Sequence, residues 1–159
     1  MMKKISIFLL LIFLVLNFSL YAEDFPLLNL RNKIFTESNL IKALLAKSKD
    51  SLLLTTMFDS CLMTISQIDA YFAMLGMIES IKKDSLTEEA LNFIENWLRE
   101  IKNSNNLNIK NIKLMKPVTE PSTKTHLLLL SNYFTELDKL INDELTKILA
   151  LKLKLKPRR

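Results

Sequence analysis

The sequence predicts an all-α protein, folded as a four-helix bundle. The chain of 159 residues has Gly 1 and Pro 4, far below the usage of an average domain. Tight turns between strands usually need Gly or an Asn-Gly pair, and the sequence has no such pair. The hydrophobic fraction of 49% supplies a core, and apolar residues recur at the three-to-four spacing of packed helices. The length suggests one domain, which we place at 23–156, followed by a basic tail at 157–159.

The N-terminal segment over 1–22 has the pattern of a secretory signal peptide. Lys3 and Lys4 precede an apolar run over 5–16, and Ala22 offers a cleavage position. The larger Leu20 weakens that position, and the uncharged run over 5–22 reaches the lower length limit of a spanning helix. We therefore expect export to the periplasm or the extracellular space, with an uncleaved membrane anchor as the alternative.

The charge balance of the exported chain argues against nucleic acid as a partner. Cleavage after Ala22 would remove Lys3 and Lys4, so Lys+Arg falls from 22 to 20 against 17 acids and the net charge falls from +5 to +3. The C-terminal stretch over 152–159 contains five Lys or Arg residues. It could make peripheral contact with an anionic membrane surface, although a solubilising helix end is the simpler interpretation.

The segment over 23–37 predicts a short extra N-terminal piece of one or two helical turns. Thr36 or Ser38 is the expected cap of the first bundle helix, which should end near Lys47 and Lys49, where cations suit the helix dipole. The expected apolar face of this helix consists of Leu40, Ile41, Leu44 and Leu45.

The second helix is expected to start after an N-cap at Ser51 and to continue to about Lys83. One continuous apolar seam follows the spacing of bundle helices; it consists of Leu54, Phe58, Cys61, Ile65, Ile68, Phe72 and Leu75. A second apolar stripe lies on the opposite side of the helix at 100° per residue; it consists of Met63, Ala70, Met74, Met77 and Ile81.

The second stripe has several possible explanations, because residues 55–77 contain no Lys or Arg. A membrane span is the least favoured, since Asp59, Gln67 and Asp69 would enter hydrocarbon and each acid would cost about 2.5 to 3.5 kcal/mol. A core helix covered on two sides is the simplest explanation. A third explanation is that the stripe is a contact face for a protein partner or for homo-oligomerisation, because Met-rich faces adapt to partners. The residues of that face would be Met63, Ala70, Met74 and Met77.

The third helix is expected to begin with a capping box formed by Ser85 and Glu88. Glu95 and Arg99 form a favourable i,i+4 pair on it. Its expected apolar stripe consists of Ala90, Phe93, Ile94, Trp97 and Ile101. The Asn-rich stretch over 103–121, with Pro117 and Pro121, predicts a long connection between helices three and four that lies across the bundle as a strap.

The fourth helix is expected from about Thr123 to the 150s. Its apolar stripe consists of Leu127, Leu130, Phe134, Leu137, Ile141, Leu145 and Ile148. Phe58, Phe72 and Phe134 could line a pocket for an apolar small molecule between helices two and four.

The sequence offers little material for catalysis. His126 is expected to be solvated, and Cys61, which lies among apolar neighbours, to be buried. One His and one Cys cannot complete a structural zinc site, and a single Gly excludes phosphate-binding glycine motifs. Asp59 and Asp69 are about 15 Å apart along the helix, too far for an acid–base pair. We therefore expect no catalytic residues, metal or cofactor, and a non-enzymatic structural or protein-interaction role, with a carrier of an apolar small molecule as the alternative.

Overall fold

The four helices form an antiparallel bundle, in which each helix packs on two others and the set closes into a ring. The computed structural model describes residues 25–80, 88–115 and 120–155. The helices in this part of the chain are α1 (Pro26–Leu45), α2 (Ser51–Ser80), α3 (Glu88–Met115) and α4 (Pro121–Leu155). α1 packs on α2, α2 on α3, α3 on α4, and α4 returns to α1. The predicted all-α four-helix bundle is thus confirmed. Several predicted features lie outside the described residues; they are the predicted signal peptide over 1–22, the capping-box residue Ser85, Ile81, Pro117 and the tail over 157–159.

The core is built on the three-to-four spacing that the sequence displays. Every residue of the predicted α4 stripe is buried, and Phe134 has no exposed surface. Pro121 occupies the first turn of α4, where its fixed φ suits the start of a helix. The N–H groups of a first turn have no acceptor within the helix, so the lack of an N–H on Pro costs no hydrogen bond there. α4 therefore begins slightly before the predicted Thr123.

α1 is one continuous helix, so the expected separate segment over 23–37 and the expected caps at Thr36 and Ser38 are wrong. The carbonyl of Phe25 accepts hydrogen bonds from the N–H groups of Leu28 and Asn29 at 3.0 and 3.1 Å, which starts the helix there. A buried seam continues through the whole length at the spacing of a bundle helix; it consists of Leu27, Leu30, Ile34, Glu37, Ser38 and Ile41. Leu40, predicted on the apolar face, is instead exposed.

Ser51, the predicted N-cap of α2, is instead the first residue of the helix. The carbonyl of Asp50 accepts the first helical bond from the N–H of Leu54 at 2.9 Å, so Asp50 is the N-cap. Asp50 Oδ2 also accepts a hydrogen bond from the N–H of Glu120 at 2.8 Å, and Ser48 Oγ donates to Glu120 Oε2 at 3.0 Å. These bonds join the α1–α2 turn to the residue that precedes α4.

The buried side of α2 differs slightly from the predicted seam. Phe58, Phe72 and Leu75 are only half-buried, whereas Met57 and Tyr71 are buried. The other predicted seam residues are buried as expected; they are Leu54, Cys61, Ile65 and Ile68. The buried face is therefore rotated toward α3, because positions 57, 64 and 71 face the bundle axis.

α3 continues through the stretch that was expected to form a strap, so this prediction is wrong for 103–115. The buried seam of α3 keeps an unbroken three-four alternation; it consists of Leu91, Ile94, Leu98, Ile101, Asn105, Asn108 and Ile112. Asn105 Nδ2 donates a hydrogen bond to the carbonyl of Phe134 at 2.7 Å. Asn108 Nδ2 donates to Thr64 Oγ1 at 3.4 Å. Partnered amides are tolerated in the core, and tertiary packing overrides the weak helix propensity of Asn.

The first turns of α3 also place their apolar residues differently. Leu91 and Leu98 occupy the buried seam, which leaves the predicted stripe residue Phe93 exposed and Trp97 half-buried. The predicted pair of Glu95 and Arg99 is confirmed, with a carboxylate–guanidinium distance of 2.6 Å.

Candidate functional site

The second apolar stripe of α2 lies on the outside of the bundle. We call Met63, Ala70, Met74 and Met77 the α2 outer face; these residues lie about 140 to 180° around the helix from buried Cys61. The exposed fractions of Met63 and Met77 are 45% and 66%, and Ala70 and Met74 are half-buried. The expectation that the bundle covers both stripes therefore fails at Met63 and Met77, because a ring of four helices covers only one side of each.

Polar contacts on both flanks fix the orientation of this face. On the α1 side, the Arg31 guanidinium makes a two-pronged contact with the Asp69 carboxylate at 2.9 and 2.7 Å. On the α3 side, Trp97 Nε1 donates to the carbonyl of Gln67 at 3.1 Å, and Gln67 Nε2 donates to Ser104 Oγ at 3.1 Å. α2 is thereby held so that the outer face points away from the core.

The α2 outer face differs from the exposed leucines of α3 in the charges along its own helix. Leu107 and Leu114 on α3 are more exposed than Met63, but Lys110 and Lys113 are interspersed with them. Cationic side chains cover neighbouring apolar surface with their stems and keep water near it. The α2 outer face has no such neighbour over 55–77, so its apolar surface is the more costly to leave in water.

The same helix is long and apolar enough to cross a membrane when judged by length and composition alone. The segment concerned is 51–77, and 33% of its most apolar window is buried inside the bundle. Its contacts with α1 and α3, together with the pairing of Asp69 with Arg31, account for its composition as one buried seam and one outer face. Asp59 and Asp69 would each be costly in hydrocarbon.

In the part of the chain that the structure describes, the three phenylalanines of the predicted apolar pocket lie at different places in the bundle. Phe58 and Phe72 are fourteen residues apart, about 21 Å along α2. Phe134 lines a cavity of about 10 Å³ between α2, α3 and α4, which has room for about one water molecule and none for an apolar ligand. Phe72 lines a different cavity of about 130 Å³, and the ring of Phe58 faces the Lys42 ammonium, whose nitrogen is 6.0 Å from its centroid.

A buried polar pair joins α1 to α4, and His126 belongs to it. The Nδ1 atom of His126 is hydrogen-bonded to Glu37 Oε1 at 2.5 Å, with side-chain exposures of 19% and 4%. The expectation that His126 is solvated is therefore wrong. Glu37 was not anticipated; the signal for it is its place in the seam of Leu30, Ile34 and Ile41, where a carboxylate needs a buried partner.

Cys61 lies close enough to this pair for the Glu37 charge to act on its thiol. Burial, and to a smaller extent Glu37, raise the pKa of Cys61 from 9.0 to about 12. The predicted burial of Cys61 is confirmed. Burial and a raised pKa keep this thiol mostly protonated at neutral pH, which disfavours it as a nucleophile or a thiolate ligand. Among the described residues, no group of three or more His, Cys, Asp or Glu side chains is arranged to hold a metal ion.

A second buried pair joins α2 to α4 near the start of α1. Tyr71 Oη donates a hydrogen bond to Glu144 Oε2 at 2.6 Å, and the Lys147 ammonium contacts Glu144 Oε1 at 2.6 Å. Burial, followed by the hydrogen bond and charge of Glu144, raises the pKa of the Tyr71 phenol strongly, so the phenol remains a donor. The sequence could not indicate this pair, because its members are 73 residues apart.

Comparison of the chain with known protein families, with curated proteins and with solved structures finds no significant match. The functional interpretation of this protein therefore rests on its own residues. Among the described residues, they include a charge-poor outer face on α2, a Cys61–Glu37–His126 neighbourhood in the interior, and an aromatic-walled cavity beside Glu144.

Proposed function

We propose that this chain is an exported, non-enzymatic helical-bundle protein that works through protein contacts, and that it self-associates through the α2 outer face. The observation that carries the proposal is the exposure of Met63 on a face that has no Lys or Arg over 55–77. Export rests on the signal-peptide pattern over 1–22. The non-enzymatic part of the proposal rests on Cys61, whose thiol is buried and has its pKa raised to about 12.

A second copy of the same chain is the favoured occupant, because the face has the pattern of a two-fold interface. Met63 lies seven residues before Ala70, and Met77 lies seven residues after it. Seven residues bring a helix back to within about 20° of the same direction. If two α2 helices pack antiparallel with the two-fold axis at Ala70, Met63 of each copy faces Met77 of the other. Such a self-complementary patch is what an isologous dimer requires.

Side-chain size and charge also suit this arrangement. Ala70 at the axis lets the two helix backbones approach closely, and flexible Met side chains fill the remaining space on either side. Asp69 is neutralised by Arg31 within its own chain. The two copies of Asp59 would lie about 33 Å apart, since each is eleven residues from the axis, and so would not repel one another at physiological salt.

The interface would be small, so we expect weak association. The face extends about 21 Å along α2 from Met63 to Met77, which places the contact at the lower end of specific interface sizes. The expected dissociation constant is therefore in the micromolar range, roughly 1 to 100 μM, or about −8 to −5.5 kcal/mol. Sedimentation over that range of concentration should show a monomer–dimer equilibrium.

Sedimentation of variants tests the proposal. Met63→Glu places two like charges in the interface and should abolish the dimer without unfolding the bundle, because Met63 is exposed. Leu114→Glu is the matched control: it makes the same chemical change at an exposed residue of α3 and should leave the equilibrium unchanged. A wild-type chain that is monomeric throughout the range, or equal effects of the two variants, would refute self-association through α2.

A further inference from the structure

The cavity beside Glu144 has the features of a small binding site at one end of the bundle. Its volume is about 130 Å³, and it lies between the start of α1 and the second halves of α2 and α4. Its walls include three aromatic rings in different planes: the Phe25 and Phe72 centroids are 6.2 Å apart at 88°, and those of Tyr71 and Phe72 are 5.7 Å apart at 57°. Rings at such angles can offer both edges and faces to a ligand in this partly open cavity.

One side of this cavity carries a negative charge. Glu144 lines the cavity together with Lys147, and the side chain of Glu144 is 22% exposed. Tyr71 donates a hydrogen bond to Glu144 from a neutral phenol, so this contact brings no positive charge to the carboxylate. Lys147 is the cation on Glu144, but its side chain is 68% exposed and the pair is an i,i+3 contact at the surface. Exposed pairs of this kind are weak.

We infer that this cavity binds the head group of a small organic ammonium ion, which takes the place of the Lys147 ammonium at Glu144. A carboxylate beside several aromatic faces matches such a cation, because the ring faces attract its positive charge and the carboxylate pairs with it. The size also fits, since an apolar cavity of about 150 Å³ holds one benzene molecule, so about 130 Å³ accommodates a group of five to seven heavy atoms. Tetramethylammonium, with five heavy atoms, and choline, with seven, fall in that range.

This site goes beyond self-association, and it is separate from the α2 outer face. Phe72 and Tyr71 belong to the buried and flanking sides of α2, whereas Met74 belongs to the outer face. Ligand binding at Glu144 and dimerisation through Ala70 can therefore be measured independently, and failure of one leaves the other unaffected.

A pair of probes of equal shape tests the charge dependence. Choline chloride is titrated into the exported form of the chain, and binding is followed by calorimetry and by Tyr fluorescence. The neutral isostere 3,3-dimethyl-1-butanol is titrated in the same way. We expect the neutral compound to bind at least about tenfold more weakly, as the loss of one partly buried ionic contact implies. Equal binding of the two probes would overturn the inference. So would a lack of choline binding at about 20 mM, which is about 20-fold above a dissociation constant of 1 mM (about −4 kcal/mol).

Two variants of the site should act in opposite directions. Glu144→Gln keeps an acceptor for the Tyr71 hydroxyl, so the bundle should fold, but choline affinity should fall by about tenfold. Lys147→Met removes the competing ammonium, so choline affinity should rise by about threefold. Glu136→Gln is the matched control, because Glu136 is a half-exposed α4 carboxylate paired with Lys33 at 3.4 Å. A loss of affinity in Lys147→Met would contradict the proposed competition.

The ammonium group could belong to a free solute or to a lipid head group, and a vesicle experiment separates these sources. Binding to phosphatidylcholine vesicles that is suppressed by free choline and by Glu144→Gln would assign the site to lipid head groups. Binding of choline with no Glu144-dependent vesicle binding would assign it to free ammonium solutes. Either result supports the site, whereas vesicle binding that Glu144→Gln leaves unchanged, with no binding of free choline, would refute it.

Discussion

Asn105 on α3 donates a hydrogen bond from Nδ2 to the main-chain carbonyl of Phe134 on α4, with an N–O distance of 2.7 Å. The bond crosses the bundle interior, where both residues are buried. It fixes the register of α3 against α4 near the start of the stretch over 103–121, whose composition predicts a connection. Among the described residues, the oxygen of the same amide, Asn105 Oδ1, has no hydrogen-bond partner.

Replacing Asn105 by Ala should lower the free energy of unfolding by about 1 to 3 kcal/mol, because the hydrogen bond is lost and a cavity remains. Asn106→Ala is the matched control, since Asn106 is exposed on the same helix turn and Ala has the higher helix propensity. Urea denaturation of both variants checks the difference. Equal stabilities for the two variants would mean that the Asn105 bond contributes nothing to the fold.

The Glu37–His126 pair should be important for stability. His126→Ala leaves the buried Glu37 carboxylate without its partner, which typically costs about 3 to 5 kcal/mol for a buried pair. The double variant Glu37→Met with His126→Leu removes both polar groups and should recover most of that loss. Unfolding in urea measures all three proteins. A His126→Ala protein as stable as wild type would show that the pair is not coupled in the folded chain.

Cys61 should be unreactive in the native protein. With a pKa raised to about 12, about one thiol in ten thousand is ionised at pH 8, and its side chain has no exposed surface. Labelling with a chromogenic disulfide reagent should be slow in buffer and fast in denaturant. Native labelling at the rate of a free thiol would refute the burial.

The same shift predicts a loss of stability in alkali. A raised folded-state pKa means that Cys61 contributes its full stabilisation below its ordinary value of 9.0, and that this contribution is lost as the pH rises toward about 12. A Cys61→Ala variant lacks this ionisation, so its stability should fall less between pH 8 and pH 11. Denaturation curves at both pH values measure the difference, and parallel behaviour of the two proteins would contradict it.

Glu95 links α3 to the end of α4 and should make stability sensitive to acid. Its carboxylate is paired with Lys152 and with Arg99, and the hydrogen bonds from Lys152 and then Arg99 lower its pKa. Stability from a lowered carboxylate pKa is present above the ordinary value of 4.5 and is lost as the pH falls through the folded-state value.

The variant Lys152→Met tests this dependence. It should be less stable than wild type at pH 7, and the difference should shrink when the pH falls well below 4.5, because Glu95 is then protonated in both proteins. Lys139→Met, an exposed position on α4, provides the control at both pH values. A difference between Lys152→Met and wild type that is unchanged by acid would rule out Glu95 as its origin.

Much of the fold could be predicted because apolar residues that recur at three-to-four spacing over a long segment indicate one structure, a bundle helix. The α4 stripe from Leu127 to Ile148 is buried at every predicted position. The predicted α3 is too short because it ends at the Asn residues over 103–108, whose helix propensity is weak. Extending the spacing of Leu98 and Ile101 to Asn105, Asn108 and Ile112 would have revealed the continuous seam.

The polar sites could not be predicted from periodicity in the same way. His126 and Glu37 are 89 residues apart and lie on different helices, so their pairing depends on the rotation of α1 against α4. The α2 outer face was predicted because its four residues lie on a single helix, where 100° per residue fixes their relative positions. Their exposure, in contrast, depended on which sides of α2 the neighbouring helices cover.

The most direct test of self-association places a cysteine at the proposed two-fold axis. In Ala70→Cys the two new thiols would face one another across the axis, and disulfides form where Cβ atoms come within about 3.5 to 4.5 Å. Wild type, whose buried Cys61 should not react, and Leu114→Cys on α3 are the controls. Mild oxidation at micromolar protein concentration should give a disulfide-linked dimer of Ala70→Cys and little of either control. Cross-linking of Ala70→Cys no faster than that of Leu114→Cys would contradict an interface centred on α2.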